Sequence, residues 1–533
     1  MSDNRLKLFI YYPIVLAIVL AGGIYLGSIL GAGFVPGSVV ESSTANSKKI
    51  SNLLNYVLEE YVDTVDMDGL TESTIISMLD QLDPHSSYIP AEDFDASNEP
   101  LEGNFDGIGV EFNIINDTIV VVAPINGGPS EKLGIRSGDR IVTIEDSTIA
   151  GTGITNKDVI SMLRGKRGTK VKVGIARRGE PKLLTFNIER DKIPIYSVDA
   201  GYMVNDEIGY IKISRFAATT FDEFEEKLSL LKRNGLQSLI LDLRGNPGGY
   251  LTAAIDISDS FLKEGKLIVY TEGRARPKES AYATNAGDFQ KGKLVILVDE
   301  GSASASEIVS GAVQDNDRGT IVGRRTFGKG LVQEQVELQD GSAVRLTIAR
   351  YYTPTGRCIQ RPYGKDDDYY GDLLHRVESG ELYEADSIQV DENEKFVTPG
   401  GKIVYGGGGI VPDVFVPLDT VPLTDLHTEL LRSGVLREFA LDFASNRRDV
   451  LDKFSDAKQF DAGFKLSEAD FRSLLDFAEK NGVKASGSFN SESELRNNLK
   501  ALIARSQWNG EGFYPIINQK DKMVLRAIEL LAN

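Results

Sequence analysis

At 533 residues the chain is too long for one ordinary domain, and a prior of roughly 150 residues per domain suggests three or four. A formal net charge of −19 argues against nucleic acid as a partner, because holding phosphates needs a concentrated basic surface. Cys358 stands alone, so no intrachain disulfide forms, and three histidines (His85, His375, His427) are a poor supply for metal sites or a Ser-His triad.

In chain order, Arg5 and Lys7 precede an uncharged run over residues 8–40, whose most apolar part, 8–30, could cross a hydrocarbon core of about 30 Å as a helix. A secretory signal has a shorter apolar region, about 7–15 residues, and residues 30–33 (Leu-Gly-Ala-Gly) make a weak cleavage site, so an uncleaved single-pass anchor is favoured. The positive-inside rule then leaves the N-terminus in the cytoplasm and the bulk of the chain on the periplasmic side of the inner membrane. Gly23, Gly27 and Gly31 recur at the spacing of a helix-pairing face, although glycine is common in membrane spans. Residues 48–82 are helical in pattern, with Leu53, Leu54, Val57, Leu58 and Tyr61, then Ile75, Ile76, Leu79 and Leu82, which fits two packed helices. Asp83-Pro84-His85-Ser86 reads as a turn, and His85 receives no catalytic role.

Residues 103–190 carry the punctuation of a PDZ domain. Gly107-Ile108-Gly109-Val110 resembles its carboxylate-binding loop, residues 134–141 resemble the turn into a later strand, and 156–163 would be the helix beside the groove. In such a site successive backbone N–H groups capture a terminal carboxylate, and the peptide adds as a strand to the sheet edge. Residues 195–417 then alternate short apolar strands (208–213, 239–243, 294–298, 320–322, 343–352) with helices (221–234, 251–262), an α/β pattern. Asp242 to Gly249 (Asp-Leu-Arg-Gly-Asn-Pro-Gly-Gly) sits where a strand hands over to a helix and would alone be a Gly/Asn/Pro turn.

The strand at 294–298 is followed by Gly301-Ser302-Ala303-Ser304-Ala305-Ser306-Glu307, a small and polar turn into a helix marked by Ile308, Val309, Ala312 and Val313. Such a turn holds a serine at the rim of a sheet beside unpartnered helix N–H groups, which suits a nucleophile with an oxyanion donor. On physics alone Ser302, Ser304 and Ser306 are equal candidates, and a Ser/Ala turn alone is most often a helix cap. Thr326-Phe327-Gly328-Lys329-Gly330 offers a base, since a desolvated lysine loses its proton more readily, and Gln333, if the chain is helical there, shares a face with Lys329 and could orient the amine. Residues 323–329 also imitate a phosphate-binding loop, but the Ser or Thr that would hold magnesium is replaced by Gly330.

The motif from Gly301 to Ile308, with Thr326-Phe327-Gly328-Lys329-Gly330 and Gln333, resembles the active-site signature of the carboxyl-terminal processing peptidases, or tail-specific proteases. Residues 82–88, 349–357 and 408–413 resemble other segments of that family, so the likeness covers roughly 48–417. It implies Ser304 as nucleophile, Lys329 as base and Gln333 as its orienting group. It further implies an oxyanion hole from the N–H groups of Ala305 and of Gly248, with Gly249 as the neighbouring candidate. No cofactor is implied. The expected partners are protein substrates with free, apolar C-termini, held at Gly107, Ile108, Gly109 and Val110; oligomer or adaptor contacts are left open.

The expected chain is a multidomain α/β and α+β protein: anchor 1–40, helical region 41–102, β-rich PDZ domain 103–190, a core over 191–420 resembling the crotonase- and ClpP-like core of tail-specific proteases, and a helical C-terminal domain 421–533. Within the core, the acidic, tyrosine-bearing stretch 365–394 reads as a mobile surface insertion. The alternative is a PDZ scaffold at the membrane that has lost its chemistry; the presence of Ser304, Lys329 and Gln333 at family spacing argues against it.

Overall fold

A computed structural model describes residues 40–125, 127–364, 368–419, 425–484 and 491–532. The expected anchor therefore lies, but for its last residue, outside the described residues, and among these no helix is long and apolar enough to cross a membrane. Two helices, Val40–Glu60 and Met67–Leu79, belong to a first compact unit, and everything from Asp80 onward forms a second.

The second unit is organised around a six-stranded sheet in the order Val198–Met203, Ile208–Ile213, Ser238–Asp242, Lys293–Val298, Thr320–Gly323, Val414–Phe415. Only the first pair is antiparallel. Parallel strands need both faces covered, and their residues sort by parity. On one face Ile211, Ile213, Leu239, Leu241, Ile296 and Val298 pack on the helices Thr220–Arg233, Leu251–Asp259 and Ala305–Asp315. On the other, Tyr210, Ile240, Val295, Leu297 and Val322 meet Met523, Val524, Ala527 and Leu531 of the final helix, Lys522–Ala532. This corrects the expected boundary at 421. The end of the chain is a layer over the six-stranded sheet, while residues from Leu426 to Ile517 pack around a phenylalanine-rich cluster of their own, including Phe439, Phe443, Phe460 and Phe464.

The PDZ expectation agrees with a five-stranded antiparallel path running Val110–Ile114, Ile119–Pro124, Arg140–Ile144, Lys170–Ala176, Leu184–Glu189. Its helix, Asn156–Leu163, sends Val159 and Leu163 into the core. Thr155 and Asp158 cap that helix reciprocally, which fixes where it begins.

Residues 365–394 depart from expectation. In their described part, Tyr369, Arg376, Glu381 and Leu382 are buried. Glu381 takes both Arg325 (2.8 and 2.6 Å) and Arg376 (2.7 Å), Arg376 also donates to Thr326 O at 3.2 Å, and Arg361 pairs with Asp372 at 2.6 Å. Glu381 and Asp372 thus neutralise arginines around the lysine-bearing loop, and the Arg325–Glu381 pair spans 56 positions, which no local pattern displays.

The helix Ala305–Asp315 is anchored at its far end by Arg357, which is fully buried and donates to Asp315 Oδ1, Gln314 Oε1 and Tyr405 O, each at 2.7 Å. A cation at a helix C-terminus also complements the helix dipole. Removing one member of a buried pair strands the other, at a cost of about 3–5 kcal/mol. Arg357→Ala is therefore expected to lower the unfolding free energy by about that amount in denaturant titration, and an unchanged midpoint would contradict the assignment.

Candidate active site

The three serines of the turn are not equivalent. Ser302 is buried and donates to Leu243 O at 2.9 Å; Ser306 is buried and donates to Asn246 O at 2.9 Å. Both hydroxyls tie the turn to the loop 243–249. Ser304 alone is half-exposed and, among the described residues, gives its hydroxyl to no backbone carbonyl. Its backbone sits at φ 54°, ψ −112°, a conformation costly for a residue with a Cβ and one that recurs at functional turns. The helix begins at Ala305, so the positive end of its dipole lies beside Ser304.

Glu307 holds that turn against the lysine loop. It is fully buried and accepts four donors: Ser304 N (2.8 Å) and Lys329 N (2.9 Å) on Oε2, Thr326 Oγ1 (2.5 Å) and Gly328 N (2.8 Å) on Oε1. One carboxylate oxygen thus joins the backbones of Ser304 and Lys329. Burial pushes its carboxyl up to about 7, against the pull of those donors. Tyr351 adds a second clasp, its hydroxyl 3.1 Å from Ser304 O and 2.7 Å from Lys329 O.

Lys329 Nζ donates to Gln333 Oε1 at 3.0 Å. The expected helix is absent here: Gln333 lies in the strand Leu331–Glu337, just after a bulge between Val332 and Gln333. The contact arises because Lys329 precedes the strand. Gln333 is in turn held by the carbonyl of His85, which accepts from its Nε2 at 2.6 Å. Asp83 fixes that carbonyl by accepting the N–H groups of His85 and Ser86, each at 2.9 Å, and the Ser86 hydroxyl at 2.6 Å. The Asp-Pro-His-Ser turn therefore serves the site through its backbone. Burial pushes the Lys329 amine below its ordinary value, the Arg345 charge adds to this, and Asp83 and Glu307 oppose it. A neutral amine here would have a lone pair to accept a proton. No hydrogen bond joins Lys329 Nζ to Ser304 Oγ; in free enzymes such bonds commonly close only around substrate.

No histidine competes. His85 Nε2 is 2.6 Å from the Tyr369 hydroxyl, and burial, followed by the Lys329 charge, lowers it to about 4. His375 lies 3.7 Å from Asp368, and His427 bonds Ser491 and Asn498.

The loop 243–249 needs one correction. Gly248, at φ 99°, lies against the Ser304 turn so closely that a Cβ would fall 2.7 Å from Ser304 Cβ and 2.9 Å from Ala305 N. Its N–H, however, donates to Asn246 Oδ1 at 2.9 Å. Among the described residues the N–H groups of Ala305 and Gly249 have no partner, so of the two candidate glycines it is Gly249, not Gly248, whose N–H is free to donate. Asn246, pinned by donating its side chain to Ile213 O at 3.0 Å, makes that choice.

In the PDZ loop, Ile108 O accepts both N–H and Oγ of Ser130 (3.1 and 2.6 Å), and Gly109 O accepts Ile125 N at 3.0 Å. With the carbonyls occupied, the N–H groups of Ile108 and Gly109 have no partner among the described residues. Val110 opens a strand paired on one side only. Glu307, Tyr351, Asp83 and Asn246 carried no expected role, although Ser304 and Glu307 do have the S-x-x-E spacing of a capping box.

Residues 207–370 match the sequence profile of peptidase family S41, residues 107–189 that of the PDZ domain, and residues 426–509 a family of unknown function, DUF8443. A carboxy-terminal-processing protease of Bartonella bacilliformis is 39% identical over 317 residues, covering 58% of this chain and 72% of the relative. Carboxy-terminal processing proteases CtpA and CtpB of Bacillus subtilis are 34% identical over 361 residues and 31% over 420, covering 67% and 74% of this chain and 76% and 85% of theirs. The chain therefore belongs to the carboxy-terminal processing proteases of peptidase family S41, and is a serine-type peptidase with a PDZ domain.

Proposed function

We propose that this protease cleaves by a Ser-Lys mechanism and selects its substrates by their C-terminal tails. Ser304 Oγ attacks the scissile carbonyl while Lys329 takes its proton; the same lysine returns the proton to the leaving amine, and water resolves the acyl-enzyme. Gln333 orients the amine, and the N–H groups of Ala305 and Gly249 hold the oxyanion. The observation that carries this is the shared Glu307 oxygen, which locks the backbones of Ser304 and Lys329 together. The uncharged run at 8–40 supports an inner-membrane anchor with the protease on the periplasmic side.

Tail selection rests on the unpartnered N–H groups of Ile108 and Gly109 beside an open sheet edge. A captured terminus tethers the rest of the substrate near Ser304 at an effective concentration in the millimolar range for short flexible linkers. An unfolded substrate with a free apolar tail should thus be degraded faster than its amidated twin, which lacks the carboxylate. Deleting residues 103–190 should erase that difference. Equal rates for the two substrates in the intact chain would refute tail recognition and leave the Ser-Lys chemistry standing.

A further inference from the structure

The final helix, Lys522–Ala532, lies beyond both the peptidase match at 207–370 and the C-terminal match at 426–509. The residue before it, Asp521, has two attachments. Its Oδ1 accepts the N–H groups of Met523 (2.9 Å) and Val524 (3.0 Å), which caps the helix. Its Oδ2 accepts from an Arg244 guanidinium nitrogen at 2.7 Å.

Arg244 belongs to the loop that carries Gly248 and Gly249. Its Nε and second terminal nitrogen grip Asp242 at 3.0 and 2.6 Å, and its backbone N–H donates to Asp242 Oδ1 at 2.9 Å. Asp242 is 1% exposed and also receives Tyr210 Oη at 2.7 Å and Lys212 Nζ at 3.3 Å; Lys212 donates to Arg244 O as well. Two carboxylates thus balance two cations beneath the loop. Burial works against ionisation of Asp242, and the charges of Arg244 and Lys212 outweigh it, holding the carboxyl far below its ordinary range. From Arg244 the chain passes directly to Gly245, whose N–H is held by Asp299 at 2.7 Å, and to Asn246, whose carbonyl receives Ala303 N and Ser306 Oγ, each at 2.9 Å.

We propose that Asp521 is a positioning residue for the oxyanion-side loop: by holding the outer edge of the Arg244 guanidinium it fixes residues 244–249, and with them the seat of Gly248 against Ser304 and the placement of the neighbouring Gly249 N–H. This rests on the Ser-Lys reading above. Asp242 alone constrains the inner edge of the guanidinium; the second anchor comes from the far end of the chain and ties the oxyanion side to docking of the final helix on the sheet. A misplacement of about 1 Å in a catalytic group can cost roughly a hundredfold in rate, and a lost oxyanion donor roughly a hundred- to a thousandfold, so a loosened donor should cost somewhat less.

Asp521→Asn isolates the charge, because Asn caps helices about as well as Asp. In the full chain, on a chromogenic peptide substrate, kcat should fall roughly five- to fiftyfold with KM within about twofold. Affinity for a peptide aldehyde, to which Ser304 Oγ adds as its proton passes to Lys329, should fall by the same factor, while affinity for the cleaved product should not. Asp521→Glu, which keeps the charge, should recover part of the loss. Asp521→Ala, lacking cap and charge, should lower Tm further yet match the kcat of Asp521→Asn at temperatures well below unfolding. An unchanged kcat in Asp521→Asn would overturn the proposal, as would a kcat loss that follows Tm across the three variants, since Asp521 would then be a helix cap only. Activity in Ser304→Ala would instead remove the mechanism beneath it, whatever Asp521 does.

Discussion

Replacing Ser304 by Ala is expected to lower turnover of an unfolded protein substrate by at least about three orders of magnitude, and Lys329→Ala to do the same, because members of a nucleophile-base unit fail together. Tm should barely change in Ser304→Ala. The hydroxyl donates to no backbone carbonyl, so its loss strands none, and the strained backbone at φ 54° is imposed by surroundings that the substitution leaves intact. Those surroundings are the N–H of Ser304 on Glu307, the Tyr351 hydroxyl on Ser304 O, and the packing of Gly248 against Ser304 Cβ. Ser302→Ala and Ser306→Ala should separate cleanly from this pattern. Each removes a buried donor from a backbone carbonyl, costing about 1–3 kcal/mol of stability. Activity well below Tm should survive in both. Hydrolysis at near wild-type rate by Ser304→Ala would refute the nucleophile assignment.

What the sequence made legible depended on how local the cause was. The strand at 208–213, the helix at 156–163 and the long strand at 343–352 appear with the expected bounds, because side-chain period and capping residues act within a few positions. The Ser304 turn was legible as a place, while the choice among three serines required the carbonyls of Leu243 and Asn246, about 60 residues upstream. Gln333 was expected on a helical face shared with Lys329, whereas a strand carries it. Its anchor, the His85 carbonyl, is 248 residues away and is a backbone atom, so no residue type advertises it. Asp521 is hidden for the same reason: as a helix cap it looks complete without Arg244, 277 positions earlier. Residues 365–394 misled because charge density normally marks a solvated segment, whereas here Glu381 is buried on Arg325 and Arg376 and Asp372 pairs with Arg361.

Lys329→Arg should leave no measurable activity at any pH, since a guanidinium stays protonated and cannot accept the serine proton. In the unmodified enzyme, kcat/KM should rise with pH as the ammonium form of Lys329 gives way to the amine, with a midpoint below the ordinary 10.5 because burial and Arg345 both disfavour the cation. The sign is fixed: a lowered lysine makes the active form accumulate at lower pH than a free amine would, so activity is lost as pH falls through the folded-state value. Glu307, pushed up to about 7, adds a second reason for acid loss, because a proton on Oε2 competes with the N–H groups of Ser304 and Lys329, and one on Oε1 with that of Gly328. The two causes can be told apart by changing the base alone. Lys329→Cys in a Cys358→Ser background, alkylated with bromoethylamine, places a sulfur-containing lysine analogue of lower basicity at the site. If Lys329 is the base, activity returns and the lysine limb moves to lower pH, while the step owed to Glu307 stays where it was. A profile that does not move on this exchange, or activity in Lys329→Arg, would take the proton-accepting role away from Lys329.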